Sequence, residues 1–194
     1  MKACIVKASA VLAAAAAVLT GCASGTVINT DESPQHSPTS SATPPPPPVN
    51  TANLVDATDY MVQVDGRNAY YFSTPSGRWQ CAILPRDRAG CESANGLTAG
   101  IGITGQPDVM VDGEATTPNA IVVDRENDAT FVVLPQSQFA TDSAKALPFG
   151  KVLAVAGFRC NVQEESGVSC LRELSGKGFT FSADGYTLQY TEVP

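Results

Sequence analysis

Apolar and polar residues alternate with a period of two along much of the chain after residue 54. The alternation is clearest at residues 151–160, 179–181 and 186–190, and short β-branched runs occur at 121–124 and 130–134. This period directs one face of a strand towards a core and the other face towards solvent. The pattern therefore predicts a succession of strands in this region.

Turn signals separate these strands. Asp112-Gly113 and Asp184-Gly185 suit the positive φ angles of tight hairpin turns. Strands at short spacing predict an all-β domain, mainly antiparallel, built as a sandwich or a partly open barrel. Residues 136–146, which precede Pro148, are compatible with one short helix, and an α+β domain is the alternative.

Four cysteines lie in this region, at Cys81, Cys91, Cys160 and Cys170. Four cysteines allow three pairings. Each half of the region holds two cysteines with nine residues between them. The pattern around each pair predicts two hairpin strands joined by a polar turn. This spacing favours the disulfides Cys81–Cys91 and Cys160–Cys170. It is too long for the usual zinc-ribbon and Cys-x-x-Cys redox motifs.

The amino terminus has the order of an export signal. Two lysines and no acid precede an Ala-rich apolar core at 8–19, which is shorter than the roughly 20 residues of a membrane span. The sequence Leu19-Thr20-Gly21-Cys22 follows and resembles the bacterial lipobox. We therefore expect residues 1–21 to be a lipoprotein signal peptide. A lipid on Cys22 then anchors the chain to the outer face of the cytoplasmic membrane.

Residues 22–53 are rich in Ser, Thr and Pro and include five consecutive prolines at 44–48. Such a composition cannot bury enough apolar surface to offset its ordering entropy. The segment is predicted to be a disordered tether between the lipid and the disulfide-braced β-rich domain at 54–194.

Several short motifs are shared with a known group. Residues 72–81 follow the pattern aromatic-x-Ser/Thr-Pro-Ser-Gly-x-x-x-Cys, and further motifs occur at 147–150, 157–160, 167–170 and 175–179. Together they resemble a family of exported proteins and lipoproteins of mycobacteria and related actinobacteria. The resemblance implies an envelope location, disulfides and a compact β-rich domain, and it brings no established activity. Arg78-Trp79 and Phe149 depart from the Asn-Ile and Tyr that are common there.

Composition argues against several functions. The net charge of −7, without a basic cluster, disfavours nucleic acid. The only histidine, His36, precedes the domain, so Ser-His-Asp and Cys-His catalysis have no base there. The glycines at 100–105 match G-x-G-x-x-G by letter, but Gln106-Pro107 follows instead of a helix. The acids at 124–128 lack the spacing of an EF-hand loop. We predict no catalytic residue, no metal and no cofactor.

The sequence thus predicts a tethered, non-enzymatic binding module for an envelope protein or a cell-wall polymer. A carrier of a lipid or other small apolar ligand is the alternative, and a hydrolase that uses paired carboxylates is a further one. Aromatic side chains are favoured at binding surfaces. Tyr70, Tyr71 and Trp79 are the aromatic candidates for exposure, although a core position is the favoured interpretation for them.

Overall fold

The computed structural model describes residues 51–64 and 66–194. The predicted signal peptide at 1–21, the predicted lipid site Cys22 and the tether up to residue 50 lie outside the described residues. The described strands, in chain order, are β1 (Met61–Val64), β2 (Arg67–Ser73), β3 (Trp79–Leu84), β4 (Arg88–Ser93), β5 (Val109–Val111), β6 (Glu114–Thr116), β7 (Ala120–Asp124), β8 (Thr130–Val132), β9 (Lys145–Ala146), β10 (Lys151–Val155), β11 (Phe158–Gln163), β12 (Gly167–Arg172), β13 (Gly178–Phe181) and β14 (Tyr186–Thr187).

These strands form two main sheets and one separate hairpin. The first sheet has the order β1-β2-β3-β4-β7-β8, with the short β9 parallel to β2, and the second has the order β10-β11-β12-β13-β14. Helical structure in the described part consists of two 3-10 turns, Ala57–Tyr60 and Leu97–Ala99. The prediction of an all-β, mainly antiparallel domain is confirmed, and the α+β alternative is wrong. The two sheets pack face to face as a sandwich.

The core between the sheets is built from two equivalent rows of side chains, each running across four neighbouring strands. The row of the first sheet consists of Phe72, Cys81, Cys91 and Ile121. The row of the second sheet consists of Leu153, Cys160, Cys170 and Phe179. All eight side chains are 0% exposed. The two halves of the domain therefore place a cysteine pair at the same position of their sheets.

Each cysteine pair lies directly opposite on two antiparallel strands. The Sγ atoms of Cys81 and Cys91 are 2.12 Å apart, as are those of Cys160 and Cys170. Both pairs therefore form disulfide bonds, and these are the pairs that the spacing favours. Each bridge fastens one hairpin at the centre of its sheet.

The short helix considered at 136–146 is wrong. The segment runs irregularly over the outer face of the first sheet and ends in β9. Its backbone N–H groups find a distant acceptor, because the buried Glu92 carboxylate accepts from the N–H of Gln138 and of Phe139, each at 3.1 Å. The Ser137 hydroxyl donates to the same carboxylate. These bonds hold the start of the segment against the first sheet.

Two strands are shorter than the alternation predicts. The pattern at 151–160 covers a hairpin, because Ala156 and Gly157 take φ values of +55° and +83° and turn the chain between β10 and β11. A two-residue turn preserves the period of two, so the alternation does not show where one strand ends and the next begins. Beyond β14 the chain leaves the ladder, since the Thr180 hydroxyl binds the carbonyl oxygen of Gln189 at 2.8 Å.

Candidate binding cleft

Three of the motif segments described in the sequence converge at one end of the sandwich. Residues 74–78 supply the turn between β2 and β3, residues 147–150 supply the turn before β10, and residues 167–170 belong to the start of β12. All three contribute to the lining of one depression. We call the surface at this end of the domain the Phe149 cleft, because Phe149 lines both of its lobes.

The two lobes adjoin along a shared wall. One has a volume of about 590 Å³ and extends over Asn53, Lys151 and the carboxy-terminal Val193. The other has a volume of about 300 Å³ and extends towards Ser76, Arg78 and Asp184. The wall between the lobes consists of Phe149, Gln163, Glu164 and Glu165. The cleft therefore has two lobes that share Phe149 in their lining.

Phe149 is the exception among the phenylalanines. Its side chain is 45% exposed, whereas the other six phenylalanines are at most 5% exposed. The turn that carries it is tied to both sheets: the N–H of Leu147 binds the carbonyl of Ser73 in β2 at 3.0 Å, and the N–H of Gly150 binds that of Val162 in β11 at 2.8 Å. Leu147 itself is fully buried. The exposed ring is thus held on an anchored turn.

Two exposed carboxylates stand beside the ring. Glu164 and Glu165 occupy the turn between β11 and β12. The turn closes on Gly167, whose φ is +82° and where a Cβ would lie 2.1 Å from the carbonyl oxygen of Phe181. Only glycine fits such a position. In the same turn the Ser166 hydroxyl is the one buried side-chain polar atom of the described residues that lacks a hydrogen-bond partner.

Arg78 and Trp79 fix the glycine-rich loop at 100–105. The indole N–H of Trp79 donates to the carbonyl of Ile101, and the Arg78 guanidinium donates to the carbonyl of Gly102, both at 2.9 Å. The guanidinium also lies 4.7 Å from the centre of the Trp79 ring. Ile101 and Ile103 point into the core. Arg78 and Trp79 thus hold this loop against the end of the sandwich.

The acidic turn at 124–128 uses its oxygens internally. The Asp124 carboxylate accepts from the side-chain and backbone N–H groups of Asn127 and from the N–H of Glu126. These hydrogen bonds, with that of the Asn127 side chain the largest, hold the pKa of Asp124 below its usual value. In the described part of the chain no group of three or more His, Cys, Asp or Glu residues is arranged to hold a metal ion.

Comparison with family models, curated proteins and solved structures returns no match for this chain. The resemblance to exported actinobacterial proteins therefore stays a prediction. Among residues 51–64 and 66–194 no helix has the length and apolar character needed to cross a membrane.

The three aromatic candidates for exposure lie in or against the core, as the favoured interpretation held. Trp79 and Tyr71 are 6% and 5% exposed, and Tyr70 is partly buried against the core; the exposed aromatic rings of the described residues are those of Phe149 and Tyr186, at 45% and 38%. The signal was present in Pro148-Phe149-Gly150, since a proline and a glycine on either side of an aromatic residue indicate a turn. The nearby carboxylates of Glu164 and Glu165 were not singled out, because a pair of acids in a polar turn is ordinary.

Proposed function

We propose that the chain is a cell-envelope lipoprotein whose domain is a binding module, with the Phe149 cleft as its binding site. The lipid on Cys22 would hold it at the outer face of the cytoplasmic membrane, and the tether would give the domain reach. The single observation that supports the binding site is the exposed ring of Phe149 on a turn anchored to both sheets. A rigid, exposed aromatic side chain suits an interface because it contributes contact area at little entropic cost.

The packing of the core favours a binding module over a carrier. The two buried rows face each other between the sheets, and Trp79 meets Phe181 edge to face with ring centres 5.1 Å apart. Side chains therefore occupy the space in which a sandwich of this size would hold an apolar ligand. The cleft instead lies at the surface and is lined by charged and amide groups together with the residues Phe149 and Trp79 and a few aliphatic side chains.

Site-specific crosslinking in the producing cells tests the binding site. A photoreactive amino acid replaces Ser76 in one chain and Glu165 in a second, so that both lobes of the cleft are sampled. The control chain carries it in place of Glu126, which is exposed in the turn at the opposite end of the first sheet. We expect one discrete adduct of the same mass from both cleft positions. No adduct there, or the same adduct from position 126, would refute the proposal.

Substitution of the lipid-bearing residue tests the anchor separately. Cys22→Ala removes the thiol that would carry the lipid, so we expect the variant to remain unprocessed or to leave the membrane fraction. The readout is the mass and the distribution of the protein between membrane and soluble fractions. A variant of normal mass that stays in the membrane fraction would show that Cys22 is not the anchor.

A further inference from the structure

We propose that the Phe149 cleft takes a cationic, extended segment of a partner protein. In this arrangement an arginine or lysine stacks on the ring of Phe149 and pairs with the carboxylates of Glu164 and Glu165. The inference rests on the proposed function and specifies the chemistry of the ligand. Its arguments are the exposed ring, the balance of charge around it and the shape of the cleft.

The charges that line the cleft favour a cation. The carboxylates of Glu164, Glu165 and Asp184 are exposed there, and none of the ion pairs in the described part of the chain includes them. Two cations also line the lobes, Lys151 in one and Arg78 in the other. The Arg78 guanidinium is already held by a carbonyl oxygen and an indole ring. The cleft therefore presents an excess of negative charge, which attracts a positively charged partner.

The ring of Phe149 provides a specific binding position for this cation. A guanidinium or ammonium group is attracted to the face of an aromatic ring, and arginine is the more frequent partner because its planar group stacks. Phe149 lines both lobes together with Glu164 and Glu165, and in the proposed arrangement the stacked guanidinium pairs with a carboxylate of this wall. A hydrogen bond between two charged groups is stronger than one between neutral groups. Ring and carboxylates together select a cation over a neutral ligand.

The shape of the cleft favours an extended segment that binds through its side chains. Phe149 lines both lobes, so a segment that fills both contacts this residue. A strand could otherwise add to the free edge of a sheet. At β10 this edge is already used, because Val152 donates to the carbonyl of Asn53 at 2.8 Å and accepts from the N–H of Val55 at 2.9 Å. We therefore assign recognition to the side chains of the cleft and not to the edge of β10.

Titration of the purified full chain with a short peptide of alternating glycine and arginine tests this inference. The fluorescence of Trp79, the single tryptophan of the chain, reports binding because its side chain lines one lobe. We expect saturable binding that weakens as salt rises. Phe149→Ala should weaken it roughly three- to tenfold, and Glu165→Gln about threefold. The matched substitution Glu126→Gln, at the opposite end of the first sheet, should leave the affinity unchanged.

Three results would overturn the inference. The first is that the peptide does not bind, although the chain unfolds cooperatively and is therefore folded. The second is that Glu126→Gln weakens binding as much as Glu165→Gln, which would indicate attraction to net charge alone. The third is that a neutral oligosaccharide of N-acetylglucosamine binds in place of the peptide, with an affinity that does not change with salt. In each case a specific crosslinked adduct at positions 76 and 165 would still support the Phe149 cleft as the binding site. Loss of that adduct would instead refute the binding site itself.

Discussion

The indole N–H of Trp79 donates a hydrogen bond to the carbonyl oxygen of Ile101 over 2.9 Å. Both residues are buried, and the Trp79 ring also meets Phe181 of the second sheet edge to face. One side chain thus joins the first sheet, the glycine-rich loop and the opposite sheet. This contact explains why a loop with three glycines keeps two isoleucines in the core.

Replacement of Trp79 by Phe should weaken this junction. Trp79→Phe keeps an aromatic ring but leaves the buried carbonyl of Ile101 without its donor, which should lower the free energy of unfolding by about 1–3 kcal/mol. Urea unfolding followed by circular dichroism measures this, since the variant has no tryptophan. Arg78→Ala is the control: its side chain is exposed and should cost less than about 1 kcal/mol. An equal loss in the two variants would show that the indole bond contributes nothing of its own.

The ring of Phe139 packs directly on Gly90 and should make this glycine irreplaceable. A Cβ at Gly90 would lie 2.5 Å from the ring of Phe139 and 2.8 Å from the carbonyl oxygen of Ile121. Gly90→Ala should therefore lower the free energy of unfolding by about 2–3 kcal/mol. Gly185→Ala is the matched control, because nothing lies within 4 Å of the added methyl group and its φ is not positive. Urea titration measures the free energy of unfolding of both variants. Equal stability of the two variants would mean that the ring of Phe139 does not cover Gly90.

The alternation of apolar and polar residues was enough to predict the sheets. In β11 and β12 the apolar positions that include Cys160 and Cys170 face the core, while Asn161 and Ser169 face the other way. Because a hairpin keeps the register of its two strands, cysteines placed symmetrically about a turn meet across it. Fold class and disulfide pairing therefore followed from local spacing alone.

What escaped prediction depends on contacts between distant parts of the chain. The Glu92 carboxylate ties residues 137–139 to the first sheet from 45 to 47 residues away. The exposure of Phe149 depends on anchors at Ser73 and Val162, which belong to different sheets. The turn at Ala156 requires a positive φ that alanine seldom adopts. None of these contacts leaves a periodic signal in the sequence.

The two disulfides should contribute equally to stability. Each closes a loop with a sequence separation of 10, and each lies at the centre of its sheet. By the chain-entropy argument, replacing Cys81 and Cys91 together by Ala should cost about 2–3 kcal/mol, and the same change at Cys160 and Cys170 should cost the same. Urea unfolding under non-reducing conditions measures both. Intact mass provides the control, since the unmodified chain must lose four hydrogens relative to its reduced form. A difference above about 1 kcal/mol would show that the halves are not equivalent.

Tyr190 fastens the carboxy-terminal segment to the outer face of the second sheet. Its hydroxyl accepts a hydrogen bond from the Asn161 amide at 2.8 Å, and the same amide binds the carbonyl of Thr191 at 2.9 Å. Burial raises the pKa of Tyr190 to about 12 from 10.0, and the charge of Glu192 adds to this, although the bond from Asn161 acts in the opposite direction. The folded chain therefore keeps the phenolic proton at pH values where the unfolded chain releases it.

This difference predicts a loss of stability in alkaline solution. Below pH 10 both states hold the proton; as pH rises from 10.0 towards about 12, only the unfolded state releases it, so the free energy of unfolding falls. We expect a fall of about 1–2 kcal/mol from this residue after allowance for its partial exposure. Urea unfolding of the natural chain and of Tyr190→Phe at a series of alkaline pH values measures it. The variant should start less stable, since it lacks the bond to Asn161, and should decline less steeply. Parallel curves would show that Tyr190 titrates alike in both states.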